Sequence, residues 1–404
     1  MGGAAEVVLV GSFESSVDFG GGVQVNAGSR DGYVARFGSD GKHLWSKRFG
    51  DAAAQDCRAV AVDAGGNAVV AGDFAGSVDF GGGTLLAKSS RDLFVAKLDP
   101  AGKHLWSKRF GASGEHAALA VASDPKGAVL VTGWVKGAID FGGGPQDTLG
   151  HQSLFALKLG PDGSHIWSAI YGGDAAEARG LAVDGSGNAV LAGRFEGSAD
   201  FGGGQLASKG GADIFVAKLD ASGKHLFSQR FGESDVQEAN AVAVGPSGSI
   251  VVAGAFQGKL ALGGKTLNSG GSADVLVAAL APDGKVIWGN GYGGPSDQIA
   301  RAVTLDSQGL VLVAGELQGK IDFGGGDLVS AGQNDAFLAK LGPDGKHLWS
   351  KRFGFGAAER ANAVAVDGSG HPVLAGIFAG TIDFGGGLLS SMGGDDIFLA
   401  RFDP

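Results

Sequence analysis

The sequence predicts an all-β protein, a seven-bladed β-propeller built from four-stranded antiparallel blades. A DFGGG motif, or a degenerate form of it, begins at seven positions spaced 60 or 61 residues apart, namely Asp18, Asp79, Asp140, Asp200, Ala261, Asp322 and Asp383. Short apolar runs separate the motifs, and in them Val, Phe or Leu alternates with small or polar residues, as is typical of strands. Repeats of this size cannot bury their own faces, and closure into a ring of blades satisfies all of them.

Each complete copy contains four such runs, which we name a to d in chain order. In the second copy they are Ala59–Asp63, Asn67–Phe74, Asp92–Asp99 and His104–Phe110. The a–b and c–d links are short and place Gly late, which favours tight antiparallel hairpins. A linear β-solenoid competes, but its coils are usually shorter and its strands parallel. We therefore expect a single propeller domain over residues 1–404.

The b–c link carries the DFGGG motif and predicts a small extra hairpin on each blade. We expect Asp79 to cap its turn and Phe80 to pack beneath it. The glycine run Gly81–Gly83 indicates turn geometry rather than a phosphate site, because no helix follows it.

Counting the runs predicts that the first and last blades are incomplete. Runs b and c occur seven times, whereas a and d occur six times. Blade 1 then holds b, c and d, and blade 7 holds a, b and c. We expect an open inner edge along Val7–Gly11 and an open outer edge along Ile397–Phe402. Unpaired edges recruit strands, so this seam predicts self-association, complementation by a peptide, or local fraying.

Composition and charge argue against several classes of partner. The net charge is −10 and the sequence has no basic stripe, which disfavours nucleic acid and anionic membranes. No apolar run approaches the ~20 residues of a membrane span, so we expect no membrane insertion. Cys57 is the single cysteine, which excludes an intrachain disulfide and a cysteine-based metal cluster. The strand pattern begins by Val7 and leaves no room for an export signal in this chain. We expect no cofactor and no metal.

The segments AVAVDAGGNAVVAG and DLFVAKLDPAGKHLWSKRFG, at 59–72 and 92–111, resemble the bacterial seven-bladed β-propeller repeat family. Repeats of that family are common in secreted and surface proteins. The resemblance implies the propeller fold and an extracellular or cell-surface location. It implies no catalytic residues, because the family is defined by residues that form blades.

One column of equivalent positions differs sharply between copies and predicts a ligand-binding face. The residue after the glycine of run b is in turn Ser12, Asp73, Trp134, Arg194, Ala255, Glu316 and Ile377. No packing rule produces that series, so we expect these positions not to be uniformly buried. Loops and strand ends on a rigid scaffold often carry binding residues. Our candidates on this variable face are Trp134, Arg194, Asp73, Glu316, Lys136 and Glu196, and neutral drift at exposed sites is the competing explanation.

A second candidate region is the channel mouth, just before run a. Acidic residues there share one predicted register, and arginines occupy the last link position of alternating blades: Asp56, Glu115, Glu177 and Glu238, with Arg58, Arg179 and Arg301. Ion pairs that join successive blades would explain this pattern. A polar ligand or a cation at the axis is the alternative.

The remaining polar residues follow the repeat and do not form a catalytic set. Five histidines recur at the start of run d, where we expect surface or edge positions: His43, His104, His165, His225 and His347. The sequence therefore predicts a non-catalytic binding or scaffold propeller with a protein or glycan ligand. Two alternatives stay open, an engineered or model repeat protein without a ligand, and a hydrolase or lyase with its site at the channel mouth.

Overall fold

The computed structural model describes residues 6–148, 150–172 and 175–403, and these residues form strands, turns and loops without any helix. The strands build seven antiparallel sheets, one per blade, with small two-stranded hairpins beside most of them. The predicted all-β, seven-bladed β-propeller class is confirmed.

The blade strands are as follows. Strand a spans Gln55–Val62, Glu115–Ser123, Ala175–Val183, Gln237–Val244, Gln298–Leu305 and Glu359–Val366. Strand b spans Val7–Phe13, Ala68–Phe74, Val129–Lys136, Ala189–Glu196, Ile250–Leu262, Val311–Leu317 and Pro372–Phe378. Strand c spans Asp31–Phe37, Asp92–Leu98, Ser153–Leu159, Asp213–Leu219, Lys265–Leu280, Asp335–Leu341 and Asp396–Arg401. Strand d spans His43–Phe49, His104–Phe110, His165–Tyr171, His225–Phe231, Val286–Tyr292 and His347–Phe353.

Within each blade the strands pair in the order a-b-c-d, so that neighbours in sequence are neighbours in the sheet. The tight a–b turn of blade 2 shows why. The Asp63 carboxylate accepts hydrogen bonds from the backbone N–H groups of Gly65 and Asn67, at 2.9 Å each. Gly66 follows with a φ of 77°, a conformation that favours glycine. This aspartate-anchored turn returns the chain directly antiparallel to itself.

Strand a carries a β-bulge that affects the placement of the site. In blade 2, Cys57 pairs with Gly72 and Ala59 with Ala71, which leaves Arg58 between them as the extra residue. Such a bulge re-aims the side chain of the unpaired residue. The same register shift leaves Leu119, Asn240, Arg301 and Asn362 at this position in other blades.

The b–c links form the predicted extra hairpin. In blade 2 it pairs Ser77–Asp79 with Thr84–Leu86, and the Asp79 carboxylate accepts the N–H groups of Gly81 (2.7 Å) and Gly83 (3.2 Å). Phe80 is buried, with its ring centroid 4.8 Å from that of Phe94 on strand c. The predicted roles of Asp79 and Phe80 are confirmed.

The other hairpins keep this geometry with one exception. They pair Ser16–Val17 with Gln24–Val25, Ala138–Asp140 with Pro145–Asp147, Ser198–Asp200 with Gln205–Ala207, Lys320–Asp322 with Asp327–Val329, and Thr381–Asp383 with Leu388–Ser390. Blade 5, whose motif is degenerate, instead extends strands b and c continuously around the turn at Gly263 and Gly264.

The strand-d histidines lie on an edge strand of their sheets, as expected, and their rings also pack on these hairpins. His104 is half-buried, its ring lies against the backbone of Gly82, and its Nε2 is 3.1 Å from the Ser107 hydroxyl. We call the hairpin backbone that receives this ring the histidine cradle. It also forms at Gly21, Gly143, Gly203 and Gly325 under His43, His165, His225 and His347. A ring held against backbone on one side explains why the middle residue of the motif is glycine.

A second repeated contact joins strand c to strand d. The buried Asp92 carboxylate accepts a hydrogen bond from Arg109 at 2.5 Å and another from the Lys88 backbone N–H at 2.8 Å. Equivalent pairs are Asp31 with Arg48, Asp213 with Arg230, and Asp335 with Arg352. A guanidinium partner is what a buried carboxylate needs to remain ionised.

Blades 1 and 7 each contain three strands among the described residues, as predicted. Their burial differs from that of complete blades. Strand b is buried along its whole length in blade 2, but Val7–Val10 in blade 1 are half-exposed. Strand c is fully buried in blade 6, whereas Ile397 and Leu399 in blade 7 are half-exposed and Arg401 is exposed.

The chain divides into two compact units. The first holds blades 1 to 3 and part of blade 4, and the second holds the remainder of blade 4 with blades 5 to 7. Each unit has its own apolar core of inward-facing Val, Ala, Leu and Phe side chains. The charged residues of strands a and b that pair with one another lie within one unit or the other.

Candidate functional site

The variable face and the channel mouth, which the sequence predicts as separate regions, lie next to each other on the paired strands a and b of a blade. On the ladder of blade 2, Asp56 of strand a lies directly across from Asp73 of strand b. The equivalent pairs are Ala117 with Trp134, Glu238 with Ala255, Ile299 with Glu316, and Arg360 with Ile377. We call these facing positions, together with the adjacent bulge residue, the a/b surface.

In the first unit the a/b surface carries a charged group that we call the Asp73 cluster: Arg30, Asp56, Arg58, Asp73 and Arg91. Arg58 and Arg91 both pair with Asp73. Asp56 accepts hydrogen bonds from Arg91 at 2.6 Å and from Arg30 at 3.0 Å. Two carboxylates directly opposite each other would repel, and the three guanidiniums remove that repulsion.

Burial within the Asp73 cluster is uneven, and burial along the variable column is not uniform either, as expected, because Asp73 and Glu316 are buried while Trp134 and Arg194 are half-buried. The Asp73 side chain is 1% exposed, whereas that of Arg58 is 38% exposed. The carboxylates are therefore buried beneath a rim of guanidinium groups. Because Arg30 belongs to blade 1 and Asp56 to blade 2, their contact also joins successive blades, as the ion-pair explanation expected.

The second unit repeats this arrangement around one carboxylate, in what we call the Glu316 cluster: Arg301, Glu316, Asn334 and Arg360. Glu316 accepts hydrogen bonds from Arg301 and Arg360, each at 3.1 Å from Nε, and from Asn334 at 3.2 Å. The Glu316 side chain is 6% exposed and that of Arg360 is 40% exposed. Arg360 comes from blade 7 and Glu316 from blade 6, so this contact also joins successive blades.

The other predicted charged residues form simpler pairs. Arg179 pairs with Glu177 at 2.6 Å in blade 4. Arg194 pairs with Glu238, at 3.7 Å, in the second unit. In both pairs the arginine side chain is more exposed than the carboxylate. The a/b surface therefore presents guanidinium groups in blades 2, 4, 6 and 7.

Two register predictions were wrong. Glu115 does not share the position of Asp56: it lies opposite Lys136, two residues before Ala117. Arg58 is not at the end of the link but within strand a.

The predicted grouping of Trp134, Arg194 and Asp73 is replaced by different partners. Asp73 is held by Arg58 and Arg91. Trp134 is half-buried between Ala117 and Leu154 on the ladder of blade 3. Lys136 and Glu196 are exposed at the ends of their b strands.

Sequence reasoning missed four members of the two clusters. Arg30, Arg91 and Asn334 each precede the first residue of strand c, and Arg360 lies in strand a of blade 7. The position before strand c also varies between copies, so comparing it across the repeats would have identified the first three.

The described residues contain no metal site, no membrane-spanning helix and no reactive thiol. No three His, Cys, Asp or Glu side chains are arranged to hold a metal ion. Among the same described residues, no helix is long and apolar enough to cross a bilayer. Burial raises the pKa of the Cys57 thiol far above its usual range, so this thiol stays protonated at neutral pH.

No protein-family model matches the chain. Over 169 residues it is 27% identical to the regulatory protein FlaEY of Caulobacter vibrioides, a segment that covers 40% of this chain and 18% of that protein. Similar solved structures include Sqt1 from Chaetomium thermophilum (11% identity, TM-score 0.44, 99% of this chain and 84% of that one). A protein from Lactobacillus plantarum is 12% identical, with a TM-score of 0.49 over 98% of this chain and 100% of that one.

Proposed function

We propose that this propeller is a non-catalytic binding or scaffold protein whose a/b surface recognises a protein or glycan partner that carries carboxylate groups. One observation carries the proposal: the carboxylates of the a/b surface are buried while its guanidiniums reach solvent, as Asp73 and Arg58 exemplify. A partner would meet planar donors suited to bidentate recognition of carboxylates.

The variation between blades supports specific recognition over a uniform structural role. The position of Asp73 is occupied by Trp134 in blade 3, Ala255 in blade 5 and Glu316 in blade 6, while the a–b turns of these blades all keep the same glycine. Blades that differ on this surface can offer different contacts to one ligand.

The test is binding to arrays of acidic peptides and of uronate or sialylated glycans, followed by titration of the best ligand. Arg58→Gln is expected to weaken binding about tenfold, and the weakening to diminish at high salt. Lys42→Ala is the matched control, because Lys42 pairs with Asp40 in an exposed c–d turn at the other end of its blade. Equal affinity of the Arg58→Gln variant and the parent protein would remove the a/b surface as the site.

An extracellular or cell-surface location belongs to the same proposal. The resemblance to repeats of secreted and surface proteins supports it. Fractionation of the native cells with an antibody to this chain tests it, and recovery only from the cytosol would contradict it.

A further inference from the structure

We propose that the outer edge of blade 7, from Asp396 to Arg401, accepts a β-strand with the pattern His-x-Trp-Ser-x-Arg-Phe, which the d strands of blades 1, 2 and 6 share. The observations come from comparing blade 7 with complete blades of the same chain.

The first observation is an empty histidine cradle. In five blades a Cβ on the middle glycine of the motif would overlap the strand-d histidine, for example 2.7 Å from Cε1 of His165 at Gly143. At Gly385 and Gly386 of blade 7 a Cβ would meet no atom within 4 Å. The turn itself is intact, because Asp383 accepts the Gly385 and Gly387 N–H groups at 2.7 and 3.1 Å. The cradle is thus formed without the ring that fills it elsewhere.

The second observation is the environment of Asp396. Its equivalents Asp92 and Asp335 are fully buried and paired with the strand-d arginines Arg109 and Arg352. Asp396 accepts the Met392 backbone N–H at 2.7 Å, as Asp92 accepts that of Lys88, but it is only half-buried. Within residues 6–148, 150–172 and 175–403, strand c of blade 7 pairs with strand b alone. A carboxylate at this position is complementary to an incoming arginine.

The third observation is the apolar surface beside this edge. Leu85 and Leu328 of the complete blades 2 and 6 pack on their cores, whereas the equivalent Leu389 is exposed. Leu388 is also exposed, and Met392 is 94% exposed. A strand laid along Asp396–Arg401 would cover this surface, since a strand adds its side chains as well as its backbone hydrogen bonds.

These observations also indicate which strand fits. In blade 6 the ladder places Arg352 opposite Phe337 and His347 opposite Leu341. The same register in blade 7 puts the incoming arginine opposite Phe398, next to Asp396, and the incoming histidine opposite Phe402, beside the cradle. A second copy of this chain offers no unpaired strand with this pattern among its described residues, because its d strands are already paired within blades. The occupant is therefore a strand of the d type from outside residues 6–148, 150–172 and 175–403.

The experiment uses the full chain and a fluorescent peptide that corresponds to Lys346–Gly354, followed by fluorescence anisotropy and thermal unfolding. We expect saturable one-to-one binding and a rise in Tm with peptide concentration, since a ligand of the folded state stabilises it. A peptide with Arg352→Ala should bind about tenfold more weakly, and Asp396→Asn should remove that difference between the two peptides.

Gly386→Ala is the decisive variant. Its new methyl group has free space in the unfilled blade but occupies the place of the peptide's histidine, so Tm without peptide should be unchanged while affinity falls at least tenfold. Arg58→Gln should leave peptide binding intact, which separates this edge from the a/b surface. Absence of binding, or binding insensitive to both Gly386→Ala and the Arg352→Ala peptide, would overturn the proposal. So would a stable dimer in light scattering that the peptide neither binds nor dissociates.

Discussion

The imidazole of His104 lies against the backbone of Gly82, in the space that a Cβ would occupy. The three glycines of this motif serve different purposes. Gly81 and Gly83 have φ values of 102° and 110°, which favour glycine for conformational reasons, whereas Gly82 has no positive φ. At Gly82 the requirement is space for the ring.

This distinction predicts that Gly82→Ala will destabilise the protein by about 1–3 kcal/mol, the usual cost of forcing extra volume into a packed contact. Gly386→Ala, the same substitution in blade 7, should change the free energy of unfolding by less than about 0.5 kcal/mol. Chemical denaturation followed by tryptophan fluorescence measures both. Equal losses in the two variants would show that backbone conformation, rather than the histidine, requires the middle glycine.

The sequence alone was sufficient for the strands, the hairpin and the roles of Asp79 and Phe80, because each rests on a local pattern repeated many times. It was not sufficient for the packing of His104. That contact joins residues 22 positions apart, through a hairpin whose fold over strand d cannot be deduced from period or polarity.

The pair formed by Asp92 and Arg109 gives a second prediction. Burial alone would raise the pKa of Asp92, but hydrogen bonds from Ser89, Lys88 and Arg109 outweigh it and hold this pKa below its usual value. Asp274 of blade 5 shows the contrasting case, because strand d has glycine there and burial raises the pKa of Asp274. We expect Arg109→Ile to cost about 2–4 kcal/mol, because it leaves a buried carboxylate without its cation.

Blade 3 supplies the control, since it has Ser153 and Ile170 in place of the aspartate and the arginine. The double variant Asp92→Ser/Arg109→Ile introduces the two residues that blade 3 has at these positions. It should be at least about 1 kcal/mol more stable than Arg109→Ile alone. A double-mutant cycle from denaturation midpoints measures this coupling. Strictly additive losses would mean that the ion pair contributes nothing beyond the packing of its two side chains.

The a/b surface was only partly predictable for a physical reason. Comparing copies identified Asp73, Glu316, Asp56 and Arg58, but it assigned them to two separate regions. A β-bulge adds one residue to strand a without any change in composition, so no residue pattern indicates that Asp56 faces Asp73. Their burial depends on Arg30 and Arg91, which reach them from outside the a–b hairpin.

Glu359 provides a pH-dependent prediction. It occupies the position of Gln55 and Gln298, whose Nε2 groups donate to the carbonyl oxygens of Ala75 (3.0 Å) and Gln318 (2.7 Å). Burial, and then the nearby Asp335 carboxylate, raise the pKa of Glu359 from 4.5 to about 7. The folded state therefore binds a proton that the unfolded state releases between these two pH values. The free energy of unfolding must fall as pH rises from 4.5 to about 7, and the penalty is complete above that.

We expect Glu359→Gln to stabilise the protein by about 1–3 kcal/mol at pH 8 and to have little effect near pH 4.5, because glutamine carries no charge to bury and can donate to the Ala379 carbonyl as its counterparts do. Unfolding by denaturant across pH 4.5 to 8 measures this difference, with the exposed Glu115→Gln as a control that should leave the pH profile unchanged. The sign of the change in the free energy of unfolding at pH 8 is the critical feature. If Glu359 were a stabilising, paired carboxylate, its removal would destabilise the protein most at high pH. A Glu359→Gln variant that is less stable than the parent at pH 8 would show that the carboxylate is stabilised as an ion, and would contradict the raised pKa.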